Sequence, residues 1–167
     1  MQFTVEKANP DEWERVREIR IRALTDSPDA FGSTLEREER FEEIDWRNRL
    51  NQEGVATFIA TLGKGQDIGL VTGAPYDEVA GLFSMWVSPE ARGTGVGKQL
   101  VEVVVDWAAS EGFPRILLDV ADHNVAAIAL YKSIGFQRTG IVGTLPSPRE
   151  QITEHQRECK IQENLAT

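Results

Sequence analysis

Residues 82–100 read LFSMWVSPEARGTGVGKQL, and the way this stretch divides decides the fold class. The run Val79–Val87, VAGLFSMWV, is rich in the apolar and aromatic residues of a buried strand. From about Gly97 to Ser110 the apolar residues Leu100, Val103, Val104, Trp107 and Ala108 recur at helical spacing. Gly112 follows as a C-terminal cap. Between strand and helix lies a turn with glycines at 93, 95 and 97. Arg115–Val120 is the next strand, so the order is strand, glycine turn, helix, strand.

Working outward, Phe3–Lys7 is a short strand. Pro10 and Asp11 open a helix whose apolar stripe is Trp13, Val16, Ile19, Ala23 and Leu24. The segment DSPDAFGST (26–34) breaks that helix, and a second helix is predicted over about Leu35–Leu50. Val55–Leu62 and Ile68–Ala74 are strands joined by the turn GKGQ, and VAGLFSMWV completes the meander. Asn124–Ile134 reads as a helix stopped by Gly135. Phe136–Val142 and Ile152–Ile161 are two closing strands joined by GTLPSPRE. Neither a repeat nor a low-complexity linker divides the 167 residues. The expectation is a single α/β domain over residues 1–167, with a mixed, mostly antiparallel central sheet and helices on both faces.

Composition narrows the function classes. A formal net charge of −9 argues against a nonspecific nucleic-acid binder, which needs basic residues to meet phosphates. The same charge would steer a cationic ligand toward the protein, although most of it serves solubility. Glu36, Glu38, Glu39, Glu42 and Glu43, interrupted by Arg37 and Arg40, read as a solvated helical face. No apolar run approaches the roughly 18 residues of a membrane span, and MQFTVEKANPDEWERVR lacks a hydrophobic signal segment. Cys159 is the only cysteine, which excludes an internal disulfide and suits a reducing compartment. These features predict a cytoplasmic protein without a membrane or nucleic-acid partner.

The glycine turn suggests an anion site. It fails as an ATP-binding P-loop, because Gly97-Lys98 requires a glycine at 92 and a hydroxyl at 99, where Arg92 and Gln99 stand. It also fails the dinucleotide pattern, which needs a different glycine spacing. The physical case survives both failures. Glycines let backbone amides approach a ligand, and the helix that follows aims its unpaired N–H groups at the same point. Arg92 and Lys98 add cations within an acidic chain, and a diphosphate fits.

RGTGVG also fits the Arg/Gln-x-x-Gly-x-Gly/Ala signature of the GNAT (Gcn5-related N-acetyltransferase) superfamily, and its context resembles that family too. LFSMWVSPEARGTGVGKQL resembles the family's central strand, acyl-CoA loop and helix. ILLDVADHNVAAIALYKSIGFQRTG resembles the following strand and the helix bearing LYxxxGF. The resemblance implies that Arg92, Gly93, Thr94, Gly95, Val96, Gly97 and Lys98 wall the pyrophosphate of acetyl-CoA, the five central residues mainly through backbone amides. It implies that Met85, Trp86 and Val87 run along the pantetheine arm, pairing by backbone as an added strand would. Asn124 would bond the pantetheine, or else simply cap its helix. Tyr131 aligns with a tyrosine near the cofactor sulfur and would act as general acid toward the departing thiolate. Asp119 corresponds to a strand carboxylate used as a base in the family's ribosomal-protein N-terminal acetyltransferases. Aspartate is one methylene shorter than the glutamate there, so Asp119 would serve as that base, through water if not directly, or would only orient the substrate or be structural, and no base is needed if solvent deprotonates the amine before binding.

The resulting expectation is an acetyl-CoA-dependent N-acetyltransferase that transfers acetyl directly to a primary amine, preferably a small cationic one. Protein N-terminal or lysine acetylation is the alternative within enzymes, and a noncatalytic acyl-CoA-binding module is the alternative outside them. The resemblance also allows a homodimer. No metal site is expected: Asp119, Asp122 and His123 are the polar residues that a strand-to-helix loop carries, and the second histidine, His155, is far along the chain. Ser84 and Cys159 lack the adjacent histidine motif that would activate a nucleophile.

Overall fold

The computed structural model describes residues 2–63 and 65–161. Among these residues seven strands form one sheet in the order β1 (Phe3–Lys7), β2 (Ala56–Leu62), β3 (Gln66–Tyr76), β4 (Val79–Val87), β5 (Arg115–Ala121), β7 (Thr153–Lys160), β6 (Gln137–Thr144). Every neighbouring pair is antiparallel except β4–β5. That parallel pair is joined through α4 (Val96–Ser110), the long crossover that parallel strands require.

Side chains alternate between two cores, one on each face of the sheet. Phe58, Ala60, Ile68 and Val71 pack with Val96, Leu100, Val101, Val104 and Ala108 of α4 and with Tyr131 of α5 (Val125–Ile134). Their neighbours Ile59, Leu70 and Trp86 point the other way, into a core with Val16, Ile19, Ala23 and Leu24 of α1 (Trp13–Asp26). The apolar stripe of α1 is therefore the buried one that its spacing predicts. Leu100 and Val104 of α4 are fully buried, whereas Val103 and Trp107 are only partly covered. Gly112, at φ +81°, adopts the left-handed conformation expected just beyond the helix end.

The second helix departs from expectation. It is two helices, α2 (Leu35–Glu39) and α3 (Glu43–Asn51). Glu42 and Asp45 form a capping box in which the Asp45 carboxylate accepts the Glu42 backbone N–H at 2.8 Å, so a new helix starts there. The break lets Phe41 turn its ring onto Trp46, with centroids 5.5 Å apart. It also removes Glu38 from the solvated face assigned to it. Glu38 is 0% exposed and accepts two hydrogen bonds from Arg20, at 2.8 and 2.9 Å, and one from Arg49 at 3.1 Å. A carboxylate can be buried this deeply only with such partners. Among the described residues, no helix is long and apolar enough to cross a membrane.

Candidate active site

The site begins where β4 leaves β5. Their parallel register holds only at Ala80↔Ile116 and Gly81↔Leu117. Just beyond, the β3–β4 register slips, so that Ser84 and Met85 together face Val71. Ser84 takes φ +58°, a left-handed value uncommon for a residue with a Cβ. Such a bulge bends a strand and increases its twist. It lies on β4 just beyond the last of its register pairs with β5, at the start of the stretch Leu82–Val87.

Two hollows meet at this opening. One, of about 390 Å³, runs along Met85, Trp86 and Val87 to Arg92, Gly93, Gly95, Gly97 and Lys98, with Asn124, Leu130 and Tyr131 opposite. The other, of about 330 Å³, is lined by Ser84, Met85, Asp119, Asn124, Tyr131 and Glu154, among others. Met85, Asn124 and Tyr131 border both. The structure thus brings the residues singled out on β4, the turn, α5 and β5 around one opening.

The turn earns its glycines locally. Gly93 and Gly95 lie at φ +78° and +93°, where a side chain would strain the backbone. Gly97 is needed for close approach, since a Cβ there would lie 3.0 Å from Leu130 Cδ2 and 3.3 Å from Met85 Cε. Helix α4 begins at Val96 with no acidic residue in its first turn, so its leading N–H groups present an uncompensated positive end. Two residues of the predicted wall send their side chains elsewhere. Thr94 donates its hydroxyl to the Ala91 carbonyl, and Val96 is fully buried in the core; only their backbones are available to a ligand.

Arg92 is held more firmly than the sequence implied. Its guanidinium donates to the Val87 carbonyl at 3.0 Å and to Asp26 at 2.6 Å, and Asp26 also accepts the Trp86 indole N–H at 3.0 Å. Hydrogen bonds from Ser27, Trp86 and Arg92 keep the Asp26 carboxyl below its ordinary range. Asp26, at the end of α1, thereby joins strand, turn and helix; no motif marks it in the sequence. Lys98 is exposed and lies 3.9 Å from Glu102.

On the other side of the opening, Tyr131 is 5% exposed, with its ring 5.7 Å from that of Phe136. Burial pushes its phenol far above the ordinary tyrosine value, so it remains a protonated donor. Asp119 is exposed on β5 and accepts a hydrogen bond from the Tyr76 hydroxyl at 3.3 Å. Glu154 is partly buried on β7, and its carboxyl is raised by burial, with the Asp119 charge adding to the shift and Arg149 opposing it. In the β5–β7 register Asp119 faces Gln156 and Ala121 faces Glu154. The two carboxylates are therefore diagonal neighbours on one face of the sheet. Tyr76, Gln156 and Glu154 were invisible in the sequence because only the assembled sheet unites them, and that leaves no local motif. Asn124 stands at the N-cap position of α5 without a side-chain cap bond, so its side chain is left to the two hollows.

The loops at 26–34 and 143–150 meet beside the second hollow. Arg149 donates to the carbonyls of Pro28, Phe31 and Gly32 at 2.8, 2.9 and 3.1 Å. Phe31 and Gly32 in turn line that hollow. His155 is not remote, as chain distance suggested: Val120↔His155 pairing brings its Nδ1 to 2.5 Å from Asp122 Oδ1. Among the described residues no group of three His, Cys, Asp or Glu side chains is disposed to hold a metal. Cys159 is buried, and burial raises its thiol. Ser84 accepts from Arg20 at 2.7 Å.

Comparison with known proteins follows the same residues. The pattern of the family described as Acetyltransferase (GNAT) family matches residues 13–136. N-acetyltransferase family 8 member 2 of Rattus norvegicus is 34% identical over 100 residues, covering 56% of this chain and 43% of that protein. The match thus spans less than half the length of that relative. The acetyltransferase of GNAT family from Streptococcus pneumoniae shares the fold with a TM-score of 0.78 at 20% identity, over 96% of this chain and 99% of that one. Spermidine N-acetyltransferase from Vibrio cholerae, solved with CoA and spermine, does so with a TM-score of 0.76 at 16% identity, over 96% of each chain. The family match runs from the first residue of α1 to the phenylalanine just after α5 and takes in both sides of the opening, and the chain belongs to the GNAT family of acetyltransferases.

Proposed function

We propose that this chain is an acetyl-CoA-dependent N-acetyltransferase that acts as one domain on a primary amine, a small cationic one by preference. One observation carries the reading: Tyr131, a buried and protonated phenol, borders both hollows at the point where β4 and β5 part. The backbone of Met85–Val87 would pair with the amides of the pantetheine arm. The amides of Gly93–Lys98, with Arg92 and Lys98 beside them, would take the pyrophosphate, and Asn124 would bond the arm near its thioester end.

The amine enters from the hollow that holds Asp119 and Glu154, whose carboxylates favour a cation. An alkylammonium with a pKa near ~10.4 must first lose a proton, which Asp119 accepts directly or through water. The nitrogen lone pair then bonds the thioester carbonyl carbon and the carbon–sulfur bond breaks. Tyr131 donates its proton to the departing sulfur and is reprotonated as the second nitrogen proton leaves. The balance is one ammonium and one thioester giving one amide, one thiol and one proton released to solvent. No covalent enzyme intermediate is needed, and neither Ser84 nor Cys159 is assigned a part. A cytoplasmic location suits a chain whose single cysteine is a buried thiol.

The test is amine-dependent release of free CoA thiol across mono-, di- and polyamines, amino-terminal peptides and lysine peptides. Tyr131→Phe is expected to lower kcat by about 100-fold or more, the usual range for a general acid, while acetyl-CoA affinity stays within about threefold, below the ~1.4 kcal/mol that a tenfold change represents. Wild-type turnover in that variant would remove the general acid from the scheme. Tight acetyl-CoA binding without turnover on any amine would leave only a binding module.

A further inference from the structure

The Tyr76 ring spans a strand. It belongs to the last residue of β3, yet its hydroxyl reaches Asp119 on β5, with β4 lying between. The crossing is possible because residue 81 of β4 is glycine: a Cβ there would lie 2.9 Å from Tyr76 Cβ and 2.5 Å from the Phe83 ring. Phe83 stacks on Tyr76, with centroids 5.9 Å apart and planes within 10°, and holds the phenol in place.

Hydrogen-bond directions then follow from the donors available. The Thr139 hydroxyl accepts the Ile141 N–H at 3.2 Å and donates to Gln156 Oε1 at 2.9 Å. That leaves the Gln156 amide nitrogen to donate to the Tyr76 oxygen at 3.3 Å. Having accepted there, the Tyr76 hydroxyl has its own proton for Asp119 Oδ2, also at 3.3 Å. The chain Thr139–Gln156–Tyr76–Asp119 has one direction. It ends on one carboxylate oxygen, and among the described residues Oδ1 has no hydrogen-bond partner. The last two bonds are long for their kind, and such contacts tighten when substrate arrives.

We propose that Tyr76 is a positioning residue for the acceptor side of the reaction: it fixes the Asp119 carboxylate by one oxygen and turns the other toward the incoming amine, under the direction of Gln156. The inference rests on the proposed acetyl transfer and on Asp119 as its proton acceptor. It predicts that the Tyr76 hydroxyl acts only through Asp119.

The experiment is a double-mutant cycle on thiol release with a saturating diamine. Tyr76→Phe removes the hydroxyl and keeps the ring on Phe83 and Gly81; kcat is expected to fall about tenfold, with both KM values within about twofold and the melting temperature unchanged. In an Asp119→Asn background the same change is expected to add nothing. Gln156→Glu keeps the shape but offers only an acceptor to Tyr76, so it should draw the phenol proton away from Asp119 and lower kcat as Tyr76→Phe does. Full kcat in Tyr76→Phe overturns the inference, as does an equal loss with and without Asp119, or a loss that tracks the melting temperature. A wild-type chain that releases thiol while Asp119→Asn does so equally well overturns it and leaves acetyl transfer standing. A wild-type chain that releases none removes the transfer reading and this inference together.

Discussion

Glu154 is the residue that best separates binding from chemistry. It lines the proposed acceptor hollow beside Asp119, and burial and the Asp119 charge both raise its carboxyl. A cation placed between the two would relieve that unfavourable charge pair, so the proposed cationic acceptor is expected to bind better as a dication than as a neutral amine. Glu154→Gln keeps the size and removes the charge. Steady-state kinetics with a diamine should then show KM raised about fivefold, corresponding to ~1 kcal/mol for a partly exposed ion pair, with kcat nearly unchanged; a neutral or monocationic amine should respond less. A fall in kcat at constant KM would instead make Glu154 a participant in proton transfer. At this scale legibility depended on the neighbourhood in the chain. Tyr131 was singled out because LYKSIGF gives it a place in the family resemblance, and the loop glycines because they alternate within one short stretch. Glu154, Gln156 and Tyr76 sit in unremarkable strand sequence and become a site only through the β5–β7 register and the gap over Gly81.

Among the elements, the short helix α2 depends on one buried ion pair for its place. Glu38 is fully buried; burial alone would raise its carboxyl, but the Arg20 hydrogen bonds and charge, with Ser33 and Arg49 assisting, outweigh that and lower it to about 2. The sign follows from the shift: a carboxyl lowered in the folded state contributes stability above its unfolded value near ~4.5, and that contribution is lost as pH falls toward 2. Glu38→Ala should cost about 3–5 kcal/mol at neutral pH, because Arg20 is left buried without its counter-charge. Denaturant unfolding should show the gap between wild type and variant narrowing between about pH 4.5 and 2. A gap independent of pH would mean that the ion pair does not hold α2. The two-helix form of 35–51 escaped the sequence because Phe41 and Glu38 each look out of place on a continuous helix only after the core is known. The charged run suggested solvent, and a buried partner from α1 reversed that reading.

For the whole molecule, the sheet and its two cores were largely legible, since apolar periodicity and turn residues mark each strand and helix independently. The opening between β4 and β5 was not legible in VAGLFSMWV, nor was the bulge at Ser84 and Met85 beside it; only the resemblance pointed to a strand backbone left available along Met85–Val87. The charge distribution carries the last prediction. A net charge of −9 creates a field that attracts a polycationic amine and repels the highly anionic acetyl-CoA. In the proposed scheme the turn would hold acetyl-CoA against that field by short-range means, namely backbone amides, the α4 N-terminus and Lys98, while Arg92 is already committed to Asp26. The proposed acceptor hollow instead adds Asp119 and Glu154 to the general field. Salt screens interactions beyond about 10 Å at 0.1 M, so the two substrates should respond with opposite sign. Raising ionic strength from about 50 to 300 mM should lower kcat/KM for a diamine several-fold, as expected for a steered encounter. Over the same range kcat/KM for acetyl-CoA should stay level or rise, because the repulsion is screened while the amide contacts at the turn persist. Parallel losses for both substrates would indicate that local cations, rather than the amides, hold the pyrophosphate, and would shift the weight of cofactor binding onto Arg92 and Lys98.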